Sequence, residues 1–240
     1  MQLRELRLGR GVFILRLWPT VLTALMLVVL LGLGTWQVQR LQWKENLIAT
    51  IEVRTHEAPI NVVNISDPKV ADYRSAEASG IFQHDHEFYM TAISLSGEGG
   101  YHVLTPLQLD NGQYLLVDRG WIPYDLKGSG KYFQQAGSVT VKGLLRIPTL
   151  GWMTPKQDYV KGTWYGIDLQ AMADSVGISA FMPFVLQVDN TPNPGGYPVG
   201  GQTRITLPNN HLIYAITWYS LALVLLVIYG VSGYRKVSEL

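Results

Sequence analysis

LIYAITWYSLALVLLVIYGV, residues 212–231, runs for twenty positions without a charged side chain. At 1.5 Å per residue, a helix of that length crosses a hydrocarbon layer of roughly 30 Å. A buried core helix is the competing reading, but so long an uncharged run beside the C-terminus suits a span better than a core. Near the other end, Leu17 to Leu33 and on through Gly34 forms a second apolar run, broken only by Pro19, Thr20 and Thr23 near its inner end. A cleaved signal peptide would also be apolar there, and Gly32 and Gly34 supply a small-x-small pair. The run is nevertheless longer than a signal core of about 7 to 15 residues. The expected fold class is an α+β membrane protein: two transmembrane helices, 17–37 and 211–231, flank one mostly antiparallel β outer domain, 38–210, with tails at 1–16 and 232–240.

The short flanks orient the spans. Arg4, Arg7, Arg10 and Arg16 stand against Glu5 in the first tail, and Arg235 and Lys236 against Glu239 in the second. Basic flanks stay on the cytoplasmic side, so both tails are expected there and the acidic middle segment outside. Arg40 and Lys44, just past the first span, weigh weakly the other way. Trp18, Trp36, Trp43 and Trp218 lie in or near the spans, three of them where an aromatic belt belongs. A net charge of +1 over 240 residues offers no phosphate-neutralising stripe, so no nucleic-acid partner is expected. The absence of cysteine removes disulfides, thiolate metal sites, a cysteine nucleophile and covalent c-type haem attachment.

Beyond the first span, Leu41, Leu47, Ile48 and Ile51 recur at helical spacing, which predicts a continuing helix to about Glu57, stopped before Pro59. From Tyr73 to Phe184 the pattern becomes short β-branched and aromatic runs punctuated by glycine, asparagine and proline. The clearest hairpin joins His102–Leu109 to Gln113–Arg119 through Asp110, Asn111 and Gly112. Further strands are expected at 76–82, 88–92, 138–146 and 184–188. A short helix should start behind Asp168 as cap and run to about Val176. Asn190 to Gln202 reads as a loop.

The sharpest candidate for chemistry opens the second span. An imidazole at a bilayer edge is costly without a partner, and His211, Tyr214 and Trp218 fall at i, i+3 and i+7 on one helical face. A neutral ring nitrogen there suits an axial position on haem iron, with flat aromatic surface beneath it. An interfacial histidine among ordinary packing aromatics is the plainer alternative, and Asn209 and Asn210 can serve as caps. In the segment Leu116 to Pro123, Arg119 can bind a carboxylate such as a haem propionate through paired hydrogen bonds. A purely structural role for Asp118 and Arg119, with Gly120 as a bend, is the favoured reading of residue type alone. His84 and His86 have metal-compatible spacing but lack further ligands nearby, so a solvated turn is preferred. His56 and His102 read as isolated. The chain has no G-x-S-x-G, G-x-x-x-x-G-K or H-E-x-x-H segment, so no enzyme activity is expected.

Three segments carry a resemblance. They are Gly34-Thr35-Trp36-Gln37-Val38-Gln39-Arg40 with Trp43-Lys44, Val117-Asp118-Arg119-Gly120-Trp121-Ile122-Pro123, and Asn209-Asn210-His211-Leu212 with Tyr214-Ala215 and Thr217-Trp218. Together, in this order, they resemble the surfeit locus protein one family, membrane factors for assembly of haem-copper cytochrome c oxidase. The likeness extends to the topology and covers nearly the whole chain. It implies delivery or stabilisation of haem a during maturation of oxidase subunit I, with His211 as ligand to the haem iron and Trp218 on the same face. The implied partners are subunit I, haem a synthase and membrane lipids. Contact of Arg119, Arg40 or Arg204 with propionates is a hypothesis from residue chemistry, not from the family pattern. A scaffold that stabilises subunit I without touching haem is the alternative; a haem-modifying enzyme is disfavoured by the missing motifs. The short first tail leaves little room for a transit peptide, so a bacterial inner membrane with a periplasmic domain is the expected location.

Overall fold

The computed structural model describes residues 2–8, 11–155, 157–158, 162–204 and 207–236. Arg10 and Glu239, counted in the charge asymmetry above, lie outside the described residues. In chain order the elements are β1 (Gln2–Leu8), β2 (Gly11–Arg16), α1 (Leu17–His56), β3 (Ile60–Asn61), α2 (Pro68–Ala71), β4 (Ser75–Phe82), β5 (Phe88–Ile93) and β6 (Gly99–Leu109). They continue with β7 (Tyr114–Pro123), β8 (Ser138–Arg146), β9 (Thr163–Trp164), α3 (Leu169–Ser175), β10 (Phe181–Val188), α4 (His211–Gly233) and β11 (Tyr234–Lys236). Two units result, one of residues 1–49 with 207–240, the other of residues 50–206.

In the first unit, α1 and α4 lie side by side and antiparallel. Thr20 Oγ1 meets Tyr229 Oη at 2.6 Å near one end, Thr35 meets the Tyr219 hydroxyl at 3.3 Å, and Gln37 meets His211 at the other end. The covered positions recur every three or four residues: Thr20, Thr23, Leu27, Leu30, Gly34 and Gln37 on α1, and His211, Ala215, Trp218, Ala222, Leu225 and Tyr229 on α4. Such a seam is that of two helices crossing at a shallow angle. Small residues let the backbones approach where lipid supplies no hydrophobic drive. Ala215 and Ala222 are buried, and a Cβ on Gly34 would stand 2.7 Å from the Tyr219 ring. The remaining faces are apolar and exposed, as lipid contact requires; Leu25, Val28, Leu223 and Ile228 are each more than half exposed. The two tails meet in a small antiparallel sheet, β1-β2-β11.

The second unit is a five-stranded barrel. β4 pairs with β8, β8 with β10, β10 with β7, β7 with β6, and the end of β6 returns to the end of β4. All pairings are antiparallel except β10 with β7. Closure brings Gly80 against Leu109, and a Cβ at Gly80 would stand 2.2 Å from the Gln108 carbonyl oxygen. Only glycine permits that approach. Outside the ring, β3 flanks β4, β5 extends β6, and β9 flanks β5.

The parallel pair explains two uninterrupted apolar runs. Leu115 and Val117 of β7 and Phe184 and Leu186 of β10 fill the barrel interior, while Leu116 and Val185 face the opposite way beneath α3, against Met172 and Ala173. A strand buried on both faces loses its polar alternation. Asp168 caps α3 by accepting from Ala171 N at 3.1 Å. At the hairpin tip, Asn111 Oδ1 accepts from Gln113 N. The last turns of α1, from Thr50, belong to this unit: Ile51 is buried and Arg54 donates to the Asp72 carbonyl at 3.0 Å.

Candidate functional site

His211 is the first residue of α4, and Asn210 before it makes no side-chain capping bond. The helix start is held instead by α1, whose Lys44 Nζ donates to the Pro208 carbonyl. His211 Nδ1 lies 2.7 Å from Gln37 Oε1. An amide oxygen only accepts, so this bond is made with the proton on Nδ1, and in the neutral ring it is Nε2 that presents the lone pair. No bond to Nε2 is seen among the described residues. Gln37 is 9 % exposed, and next to the histidine Asn209 Oδ1 is buried without a hydrogen-bond partner. Trp218, two turns along, shares the covered side with His211. Tyr214 lies about 60° round the helix and is 55 % exposed. Arg40 stacks its guanidinium 3.9 Å from the Trp43 ring centroid.

Arg119 sits in the other unit, inside a buried network on the barrel wall. It is 5 % exposed, its Nη1 donates to Glu87 Oε1 at 2.8 Å, and its Nη2 donates to the Phe133 carbonyl. Its carbon lies 5.3 Å from the Phe82 ring. Tyr132 donates to the second Glu87 oxygen, and its hydroxyl is 2.8 Å from that of Tyr89. His84 lies 2.8 Å from Glu87 and 3.0 Å from the Gln135 carbonyl. Burial pulls Glu87 towards its neutral form. Hydrogen bonds from His84 and Tyr132, with the charge of Arg119, outweigh it and hold the carboxyl below the ordinary range. Burial and the neighbouring carboxylate raise Tyr132 above the usual phenol range.

The adjacent residue anchors a second buried pair. Asp118 Oδ2 accepts from His102 Nδ1 at 2.7 Å and from Gln187 Nε2 at 3.3 Å, and Oδ1 accepts from Gly120 N. Burial lowers the affinity of His102 for its proton, but the Asp118 carboxylate more than reverses this and raises it. Gly120 has φ +113°, and any Cβ there would meet the Val199 carbonyl oxygen at 2.1 Å. Asp118, Arg119 and Gly120 therefore hold together strands and loops that lie far apart in sequence.

His102, read from sequence as isolated, is corrected: it is the buried partner of Asp118. The signal was available, because the Asn111-Gly112 hairpin sets Leu104 opposite Asp118 and His102 lies two residues further along the same face. Glu87 and Gln37 were given no role by sequence reasoning. Both are buried polar groups whose partners come from distant segments. His84 and His86 lie in a 3-10 turn rather than on a strand, and among the described residues no three His, Asp or Glu side chains cluster as a metal site.

Fold and site define a class: a membrane protein with two long apolar helices, a β-barrel encoded in the sequence between them and a histidine at the head of the second. The SURF1 family profile matches residues 24–223, and the chain belongs to that family. It is 36 % identical over 219 residues to a SURF1-like protein of Monosiga brevicollis, covering 84 % of this chain and 82 % of that one. Over 213 residues it is 37 % identical to Surfeit locus protein 1 of Rattus norvegicus, covering 79 % and 67 %. The corresponding protein of Homo sapiens is 35 % identical over 220 residues, covering 81 % and 71 %.

Proposed function

We propose that this protein is a non-enzymatic assembly factor for haem-copper cytochrome c oxidase that holds haem a at the outer edge of the membrane and aids its insertion into subunit I. The observation that carries the reading is His211. It stands at a span terminus, and the bond from its Nδ1 to Gln37 leaves the Nε2 lone pair of the neutral ring for a metal. An iron-ligating histidine characteristically donates its other nitrogen in this way. Haem a is an apolar ring with a hydrocarbon tail and two carboxylates. A bilayer-edge site suits all three parts, with the Trp218 ring two turns along the same covered side as the histidine.

Tyr214, exposed on the flank of α4, is available to the same ligand or to a partner helix. Arg119 is committed to Glu87 and supports the reading only through the fold. In this reading both tails face the inner side of an energy-transducing membrane, and subunit I, lipids and haem a synthase are the partners. A single axial histidine suits cargo that must be given up.

The test is the optical spectrum of full-length protein purified in detergent from cells that make haem a, wild type beside His211→Ala. A haem a band present in the first and absent in the second is expected. A wild-type protein without haem despite ample supply would overturn the reading in favour of a haem-independent scaffold.

A further inference from the structure

We propose that Gln37 is the positioning residue of His211, fixing the tautomer and ring orientation of the histidine from the opposite helix. The inference rests on the haem-carrier reading above and adds a second helix to it.

The argument begins with cost. Gln37 is a buried amide on an α1 face whose nearest covered positions are Leu27, Leu30 and Gly34, three residues beyond Gly34 on the same face. Burying an amide between apolar helices is unfavourable unless it is hydrogen-bonded. Its side-chain carbonyl accepts from His211 Nδ1, at 2.7 Å. A leucine would fill that seam position without burying an amide, at the cost only of the bond to His211, so packing does not account for a glutamine.

Chemistry accounts for it. A neutral imidazole has one protonated nitrogen and one lone pair. Accepting the Nδ1 proton, the Gln37 carbonyl selects the tautomer whose Nε2 is basic, aims that nitrogen away from α1, and raises its donor strength. Gly34 contributes to the same arrangement. Its missing side chain lets the Tyr219 ring seat against α1, and the Thr35 hydroxyl meets the Tyr219 hydroxyl. The helices are thereby brought close within one turn of the Gln37 amide.

The experiment uses full-length protein in detergent, with Gln37→Leu and Gln37→Glu beside wild type, and two readouts. Nitrogen-15 shifts of the His211 ring in haem-free protein report the tautomer. The haem a absorbance and iron–histidine vibration report ligation in protein from haem a-producing cells. Gln37→Leu should lose the Nδ1-protonated preference and weaken haem retention about 10- to 100-fold, whereas Gln37→Glu, still an acceptor, should restore both and raise the vibration frequency. Because leucine suits the seam, loss of haem with the helices intact is not a folding failure. An unchanged tautomer in Gln37→Leu overturns the proposal, whatever happens to haem. If wild type carries no haem, the carrier reading fails, while the haem-free nitrogen shifts still decide the role of Gln37.

Discussion

The barrel and the helix pair each set a histidine against an acceptor, buried in the first and part-exposed in the second, and they differ in how many partners share that acceptor. In the barrel, His102 meets Asp118, which also accepts from Gln187 and Gly120, while neighbouring Arg119 shares Glu87 with His84, Tyr132 and Thr105. Polar groups there are shared by several partners, as a low-dielectric interior demands. In the helix pair, Gln37 makes one bond to His211 and leaves the second ring nitrogen open. An acceptor shared among several strands holds a fold; an acceptor given to one part-exposed ring orients that ring.

The largest effect expected from this contrast follows Arg119→Leu. Glu87 would stay buried without its cation, costing about 3–5 kcal/mol, read as a lowered denaturant midpoint by tryptophan fluorescence. Normal stability with selective loss of haem would reverse the roles assigned to the two regions. Next comes His102→Gln, expected to cost about 1.5–3 kcal/mol near pH 6 by removing a charge-assisted bond.

Its pH dependence sharpens the point. His102 is raised above its ordinary 6.5, so its contribution is full below that pH and is lost as pH rises through the folded value. Glu87 is lowered below 4.5, so its contribution is full above that pH and is lost as pH falls through the folded value. Stability from these two groups therefore peaks between about pH 4.5 and 6.5, and His102→Gln should flatten the alkaline side in a melt series.

In the helix pair, Gly34→Val should push against the Tyr219 ring and weaken association by about 1–3 kcal/mol, measured by steric trapping in bicelles. Thr20→Val, which loses the bond to Tyr229 across the seam and the local one to the Arg16 carbonyl, should cost about 0.6 kcal/mol in the same assay. A larger loss for Thr20 than for Gly34 would mean that polar contacts, not close packing, hold the helices.

Local signals were readable in the sequence. The strand expected at 138–146 spans Ser138–Arg146, Asp168 caps α3, and the Asn111-Gly112 turn joins β6 to β7. Pairings between distant segments were not. Nothing in the string places β10 between β7 and β8, because both apolar runs are compatible with many neighbours. The candidate site divides the same way. His211 and Trp218 announced themselves by position on a span, whereas Gln37 needed the helix pairing before its amide had a partner. Glu87 likewise gained meaning only from Arg119, Tyr132 and His84.

Strand β10 sits between β7 and β8, both made earlier in the chain. Synthesis must therefore reach residue 188 before the barrel can seal. Only residues 189–210 then remain before α4, so sealing and arrival of the second anchor fall close together in time. Until that moment the nascent β segment is an unsealed sheet, with β7 and β8 both made and the strand that joins them still to come.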